Sequence, residues 1–197
     1  PQARGKRGWY DGDTLNLSIG QGELLVTPIQ MANVAAAIAN RGTLWRPHYT
    51  DRIVYSDGRP EYKQKLEKLG EIPLKEKVWG DLDEAMRLVV SSGTGRAASI
   101  SGLIVAGKTG TAQNPLGDDH AWFVAYARKS GEPSQVAVAV LVENGGHGSS
   151  VAAPIARSVI MAAYGLSDRR PSSVSVSSRP VAIPLPAGAA LPVLPAL

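Results

Sequence analysis

Apolar and polar positions follow two rhythms along this chain, and each rhythm predicts its own kind of element. From Pro28 to Asn40 the run PIQMANVAAAIAN is small and largely apolar, and its flanks carry helix punctuation. Thr27 offers a hydroxyl at the N-cap, Pro28 suits the first helical position, and Gln30 can reach back to the cap's N–H. Arg41-Gly42 supplies the stop. A second helix is predicted over Asp81–Val90, with Leu82, Ala85, Met86 and Val89 on one face, ending at Ser91-Ser92-Gly93-Thr94-Gly95. A third runs over Val151–Tyr164 and stops at Gly165.

Between the last two helices the pattern is that of strands. Leu103-Ile104-Val105-Ala106 suits a buried strand leading into Gly107-Lys108-Thr109-Gly110-Thr111-Ala112-Gln113. Ala121–Ala127 and Gln135–Val142 flank Arg128–Ser134, which contains Gly131 and Pro133, and so read as a hairpin with a longish loop. Three adjacent strands, 103–112, 121–128 and 135–142, set among helices predict a helix-covered sheet. Leu44–Tyr55 reads as extended and turns at Ser56-Asp57-Gly58, while the polar stretch 61–77 gives no assignment. There is no internal repeat.

Composition narrows the choice. A chain of 197 residues fits one domain, or one and a half. With 44% apolar and 19% charged residues it can bury a core, and with few aromatics that core must be aliphatic. The absence of cysteine excludes disulfides, thiolate metal sites and a cysteine nucleophile. Composition breaks after Leu166: the last 31 residues hold six of the fourteen prolines, six serines and no aromatics, the mark of a disordered tail. The expected organisation is a folded part over 1–166 and a Pro/Ser-rich tail over 167–197. Within the tail Pro180–Leu197 is apolar, but five prolines bar a membrane helix. The chain opens at Pro1 without a signal peptide, so any membrane anchor is expected upstream.

The net charge of +4 comes from the ends. Arg4, Lys6 and Arg7 contribute +3, and Asp168, Arg169, Arg170 and Arg179 sum to +2, which leaves −1 over residues 8–166. A nucleic-acid binder carries its basic stripe on the fold itself, so nucleic acid is not an expected partner.

Candidate chemistry gathers around Lys108. Gly102-Leu103-Ile104-Val105-Ala106-Gly107-Lys108-Thr109 spells the phosphate-loop pattern G-x-x-x-x-G-K-[ST]. Its context is wrong for a nucleotide binder. Strand-forming residues occupy the loop positions, and TGTAQNP follows where a helix should begin. The same lysine also opens Lys-Thr-Gly at the end of an apolar strand, one of three signatures of the penicillin-recognising serine acyltransferases. An edge strand can offer its backbone to a peptide-like substrate. Lys108 supplies positive potential, Thr109 and Thr111 supply hydroxyls for a carboxylate, and Gly110 leaves room for close approach. A metal site from Asp118, Asp119, His120 and the distant His147 is disfavoured, because neighbours on a strand point apart. No metal or organic cofactor is expected, and His147 reads as part of a turn. Ile19-Gly20-Gln21-Gly22 reads as a tight turn feeding the first helix.

The long form GKTGTAQ is far more specific than its first three letters. Together with DTLNLSIGQGELLVTPIQMANVAAAIANRGTLWRPH, SSGTG, AGKTGTAQNP, DHAWFVAYA and AVAVLVENGGHGSSVAAPIAR, it resembles the C-terminal part of the transpeptidase domain of class B penicillin-binding proteins, of the elongation type (the penicillin-binding protein 2 group). The resemblance runs from Gly12 to Gly165 and omits the tail. It implies an α/β (α+β), β-lactamase-like fold, an antiparallel sheet covered by helices, with only its C-terminal part present. It assigns Lys108 and Thr111 to catalysis, and Thr109, Gly110, Thr111 and Gln113 to substrate binding. Lys108 would bond the serine of a Ser-x-Asn motif and aid proton transfer. Thr109 and Thr111 would hold the terminal carboxylate of a D-Ala-D-Ala stem peptide or a β-lactam. The N–H of Thr111 would form one arm of an oxyanion hole, SSGTG would lie near the cleft rim, and His120 and Trp122 would begin the strand beside Lys-Thr-Gly as structural or cleft-lining residues.

The implied activity is peptidoglycan D,D-transpeptidation in cell-wall elongation, on the outer face of the cell membrane. The implied partners are the stem peptide, β-lactams as inhibitors and a membrane glycosyltransferase of the elongation complex. Neither S-x-x-K nor S-x-N occurs in these residues, so the sequence predicts the back part of a longer protein, inactive and aggregation-prone alone because of exposed sheet edges. The alternatives are a non-catalytic peptide-binding remnant and, less favoured, a phosphate-loop nucleotide binder.

Overall fold

The computed structural model describes residues 8–134 and 136–166. The basic residues Arg4, Lys6 and Arg7, residue Gln135, and the tail predicted over 167–197 lie outside the described residues.

The first element, α1 (Asp11–Ser18), is one that the sequence pattern did not announce. It buries no residue, and local bonds hold its first turn. The Asp13 carboxylate accepts the Tyr10 N–H at 3.0 Å, and the Trp9 indole donates to the Thr14 hydroxyl at 2.8 Å. The chain then turns through Gly20 and Gly22, both at φ +77°, as predicted for a tight turn. Helix α2 (Pro28–Ala39) starts on the predicted capping box. Thr27 Oγ1 accepts the Gln30 N–H at 3.3 Å, and Gln30 Oε1 accepts the Thr27 N–H at 2.8 Å. Its end is a Schellman turn, with Gly42 N–H on Ala37 O and Arg41 N–H on Ile38 O. Arg41, not glycine, takes the left-handed position at φ 55°. Gly42 is needed for another reason as well: a Cβ there would lie 2.7 Å from Ile72 O and 2.8 Å from the Trp79 ring.

Residues 43–71 form two nested antiparallel pairs. The outer pair is β1 (Thr43–Trp45) with β4 (Lys68–Glu71), and the inner pair is β2 (Arg52–Ile53) with β3 (Tyr62–Lys63). The expected single extended stretch over 44–55 is therefore two short strands. Their partners sit in the polar region that carried no sequence signal.

Helix α3 spans Glu76–Ser91, beginning five residues earlier than predicted. Lys75 provides no capping side chain to mark the start. Its buried face is Trp79, Met86 and Val90, with Leu82 and Val89 half-buried. Ala85 is exposed, which corrects its predicted place on that face. It stands about 100° around the helix from Met86, at the boundary of the stripe.

The centre of the fold is the antiparallel sheet β5 (Ile104–Ala112), β6 (His120–Arg128) and β7 (Val136–Val142), in that order. Side chains alternate across β6 and sort the core into two layers. Ala121, Phe123, Ala125 and Ala127 face α4 (Ala152–Ala163), where they meet Ala152, Ala153, Ala156 and Ile160. Tyr126 faces the other way, with Ala106 and Met86, under Ile38 and Ala39 of α2. Alanine dominates the α4 side, so that helix lies close on the sheet, whereas the other side sets the larger Met86 and Tyr126 around Ala106. This is the predicted helix-covered antiparallel arrangement. Among the described residues, no strand pairs with the outer edge of β5 or of β7. No helix among them is long and apolar enough to cross a membrane.

One polar cluster ties α3 to the sheet. Asp83 receives both arms of the Arg128 guanidinium, at 2.8 and 2.9 Å, and the Tyr126 hydroxyl at 2.8 Å. The Arg128 bonds hold the Asp83 carboxyl below the usual carboxylate range, against the opposing pull of burial. Burial first, and then Asp83, push the Tyr126 phenol up and keep it protonated. Because the folded carboxyl titrates below its unfolded value, its stabilisation is complete above the unfolded pKa of about 3.9 and is lost as pH falls through the depressed folded value. Asp83→Asn should therefore cost about 2–3 kcal/mol at pH 7. Urea unfolding of the full-length gene product should show the gap from wild type constant over pH 5–8 and narrowing toward pH 3. A gap that ignores pH would contradict this.

Candidate active site

The site is built on β5. Its register with β6 pairs Lys108 with Val124, Thr109 with Phe123, Gly110 with Trp122 and Thr111 with Ala121. The pleat places Thr109 and Thr111 on the α4 side of the strand, and Lys108 and Gly110 on the α2 and α3 side. The threonine side chains thus share a face, while Lys108 starts on the opposite one. Lys108 is exposed, and it curls to the edge so that its Nζ donates to Thr109 O at 2.6 Å.

The same alternation governs the backbone. Residues 109, 111 and 113 turn their N–H and C=O groups to the outer edge, away from β6. The ammonium of Lys108, bound to Thr109 O, and the N–H of Thr111 therefore belong to one edge, that on which Gln21 also binds Thr111 O.

The loop before β5 contributes too. Ser92 and Gly93 N–H groups close onto Leu88 O, and Gly95 N–H onto Val89 O, so the glycine-rich segment caps α3 as expected. That cap delivers Thr94, whose hydroxyl lies 2.9 Å from the Thr109 hydroxyl. Gly95 rests on Phe123: a Cβ there would come within 3.1 Å of the ring. Thr94 was not singled out in the sequence, although its segment was placed at the rim.

Gly110 is backed by Trp122, whose Cβ would lie 3.1 Å from a Cβ at position 110. Gly148 presses on this rung of the β5–β6 ladder. A Cβ at Gly148 would stand 2.1 Å from Trp122 O and 2.7 Å from Gly110 O. Gln113, just past the end of β5, is exposed. Its N–H faces Gln21 Oε1 at 3.4 Å, and Gln21 Nε2 donates to Thr111 O at 3.0 Å. Sequence reading gave Gln21 only a turn. A ninety-residue separation from Thr111 leaves no local signal of that contact.

The aspartate and histidine candidates engage backbone. His120 Nδ1 accepts the Asn144 N–H at 3.0 Å, and Asp119 accepts the Asn114 N–H at 3.3 Å. Asn114 in turn donates to Asn144 Oδ1 at 2.8 Å, joining the loop that enters β6 to the loop that leaves β7. His147 offers its carbonyl to Ser150 and Val151, the turn into α4. The phosphate-loop reading fails on geometry. Strand β5 is already formed at Ile104 and continues through Lys108 to Ala112, where a nucleotide loop and its helix would have to be.

The family profile of the penicillin-binding protein transpeptidase domain matches residues 2–161. The chain belongs to this family. It is 37% identical over 188 residues to the peptidoglycan D,D-transpeptidase MrdA of Haemophilus influenzae, covering 86% of this chain and 28% of that protein. It is 36% identical over 163 residues to the D,D-transpeptidase PbpA of Mycolicibacterium smegmatis, covering 74% of this chain and 31% of that one. Among solved structures, it matches Pseudomonas aeruginosa PBP2 in complex with WCK 5153 at 40% identity and a TM-score of 0.65, over 83% of this chain and 36% of that chain. It also matches the imipenem acyl-enzyme of penicillin-binding protein A from Mycobacterium tuberculosis at 36% identity and a TM-score of 0.64, over 76% and 33%. The chain therefore spans about a third of these relatives, or less, and its fold is part of the transpeptidase fold.

Proposed function

We propose that this chain supplies the substrate-binding strand of a peptidoglycan D,D-transpeptidase of cell-wall elongation. The observation that carries the reading is the edge of β5, where Lys108 Nζ binds Thr109 O on the same edge that carries the Thr111 backbone groups, while the Thr109 hydroxyl pairs with that of Thr94. A stem peptide ending in D-Ala-D-Ala would lie along this edge, its carboxylate held by Thr109 and Thr111 and steered by the charge of Lys108. The N–H of Thr111 would take the negative charge that develops on the attacked carbonyl oxygen, a preorganised donor of the kind that often dominates catalysis. Gly110 and Gln113 would flank the bound peptide.

The nucleophile comes from outside this sequence, which holds neither S-x-x-K nor S-x-N. That serine Oγ attacks the carbonyl of the penultimate D-Ala. The C–N bond breaks, and D-Ala leaves with a proton on its amine. An amine of a neighbouring stem peptide then attacks the ester, forms the new amide and returns the serine hydroxyl. The relatives' acyl-enzyme structure with imipenem supports β-lactams as ligands of the whole protein. Attachment to the outer face of the cell membrane, beside a membrane glycosyltransferase of the elongation complex, belongs to the same reading.

The test is D-Ala release from a pentapeptide ending in D-Ala-D-Ala. The full-length gene product should release it, and residues 1–197 alone should not. Release by 1–197 alone would overturn the division of labour. Peptide binding without release by the folded full-length product would favour a non-catalytic binding protein.

A further inference from the structure

We propose, on the reading of β5 as the acyl-transfer strand, that Gln21 is a positioning residue that sets the aim of the Thr111 N–H. Its half-buried side-chain amide makes two contacts with one strand edge. It donates to Thr111 O at 3.0 Å and faces the Gln113 N–H at 3.4 Å. In a parallel ladder, one residue donates its N–H to the carbonyl before the residue opposite and accepts the N–H after it. Gln21 makes that pattern with its side chain, opposite Ala112, on an edge that no strand pairs with among the described residues.

Two consequences follow for the edge. The bridge fixes the peptide plane between Thr111 and Ala112, and with it the orientation of the adjoining plane that carries the Thr111 N–H. It also occupies Thr111 O, while Lys108 Nζ occupies Thr109 O on the other side. Between these two clamps the edge presents the N–H of Thr111. A substrate can therefore pair there without zipping further along the strand. A donor of this kind must be held before the reaction starts, because its value lies in needing no reorganisation. The turn that carries Gln21 is tied to the end of α1, the Gln21 N–H donating to Asn16 O and the Gly20 N–H to Leu17 O, each at 2.9 Å.

The side-chain type is specific. Gln21→Glu keeps the length, but at neutral pH it removes the donor to Thr111 O and sets a carboxylate against a carbonyl. Gln21→Met keeps length and volume and removes both contacts. Gln21→Asn keeps the amide one methylene too short.

The experiment uses the full-length gene product and benzylpenicillin. It measures the limiting first-order acylation rate, the half-saturating concentration, the melting temperature and hydrogen exchange at the Gln113 amide. Gln21→Met and Gln21→Glu should lower the limiting rate by about 10–100-fold, part of the effect of losing an oxyanion donor outright. The half-saturating concentration should stay within about threefold, since the carboxylate contacts are intact. The Gln113 amide should exchange at least about tenfold faster, as expected when a protecting bond is removed. Gln21→Asn should recover part of both the rate and the protection. An unchanged limiting rate, a loss confined to half-saturation, unchanged Gln113 exchange, or a rate loss that tracks a fall in melting temperature would each overturn the proposal. A wild-type protein that takes no β-lactam would overturn the reading of β5 itself, and the exchange at Gln113 would still report whether the bridge exists.

Discussion

Lys108→Ala in the full-length gene product should slow β-lactam acylation by about 10²–10⁴-fold and leave the fold intact. The magnitude is that of removing a group that takes part in proton transfer and charge stabilisation. The fold survives because Lys108 is exposed and, among the described residues, its ammonium bonds the carbonyl of Thr109, an edge group that water can serve instead. No cavity forms. Lys108→Arg keeps the charge but replaces a compact ammonium with a planar fork, and it should recover only part of the rate. A fluorescent penicillin followed by stopped labelling gives the rate, and circular dichroism gives the fold. A rate within threefold of wild type would remove Lys108 from the chemistry.

Gly148→Ala should be the most damaging single methyl group in the described residues. At most glycines here an added Cβ would meet open space or a side chain that can move. At Gly148 it would meet backbone oxygens at 2.1 and 2.7 Å, those of Trp122 and Gly110. Neither oxygen can rotate away without opening the rung that joins β5 to β6. The following helix adds a constraint, because Gly148 O accepts the Ala153 N–H at the start of α4. Overpacking of a rigid site costs about 1–3 kcal/mol and sometimes more, and this contact belongs at the upper end. A loss of about 3 kcal/mol would lower the melting temperature by roughly 6–12 °C. Acylation should fall as well, since the displaced rung is that of Gly110. As a control, Gly131→Ala, where a Cβ would meet nothing within 4 Å, suffers only from its φ of +78° and should leave acylation unchanged. Equal melting temperatures for Gly148→Ala and wild type would show that the loop does not bear on the sheet.

Some of this fold is legible in sequence because its causes are local. The α2 boundaries follow from Thr27, Pro28 and Gln30 at one end and Arg41-Gly42 at the other, all within one turn of the helix. The three-stranded sheet shows in its apolar runs, and the motif after Ala106 marks a candidate site because a lysine, hydroxyls and glycine follow one another on one strand. Other parts depend on contacts that no short window contains. Helix α1 buries nothing, so Leu15 and Leu17 form no stripe that a periodicity could reveal. Strands β3 and β4 are two and four residues long and are defined by their pairing with β2 and β1. The early start of α3 depends on Trp79, which is buried at 4% exposure where it meets Gly42.

The site divides in the same way. Lys108, Thr109, Gly110, Thr111 and Gln113 could be proposed from the motif alone. The edge geometry that relates Lys108 to Thr111 needs the pleat, and the bridge from Gln21 needs the fold. Asp83 looked like one more polar position on a helix, and only the approach of Arg128 and Tyr126 gives it a partner.

The central claim is that this chain carries the substrate-binding edge of an acyl-transfer site whose nucleophile lies outside it. The most direct test is to incubate the full-length gene product with benzylpenicillin, digest it, and locate the penicilloyl group by tandem mass spectrometry. One adduct is expected, on a serine in an S-x-x-K motif outside these 197 residues, with every peptide of this sequence unmodified. An adduct on a serine, threonine or lysine within this sequence, or a folded protein that takes no adduct, would contradict it.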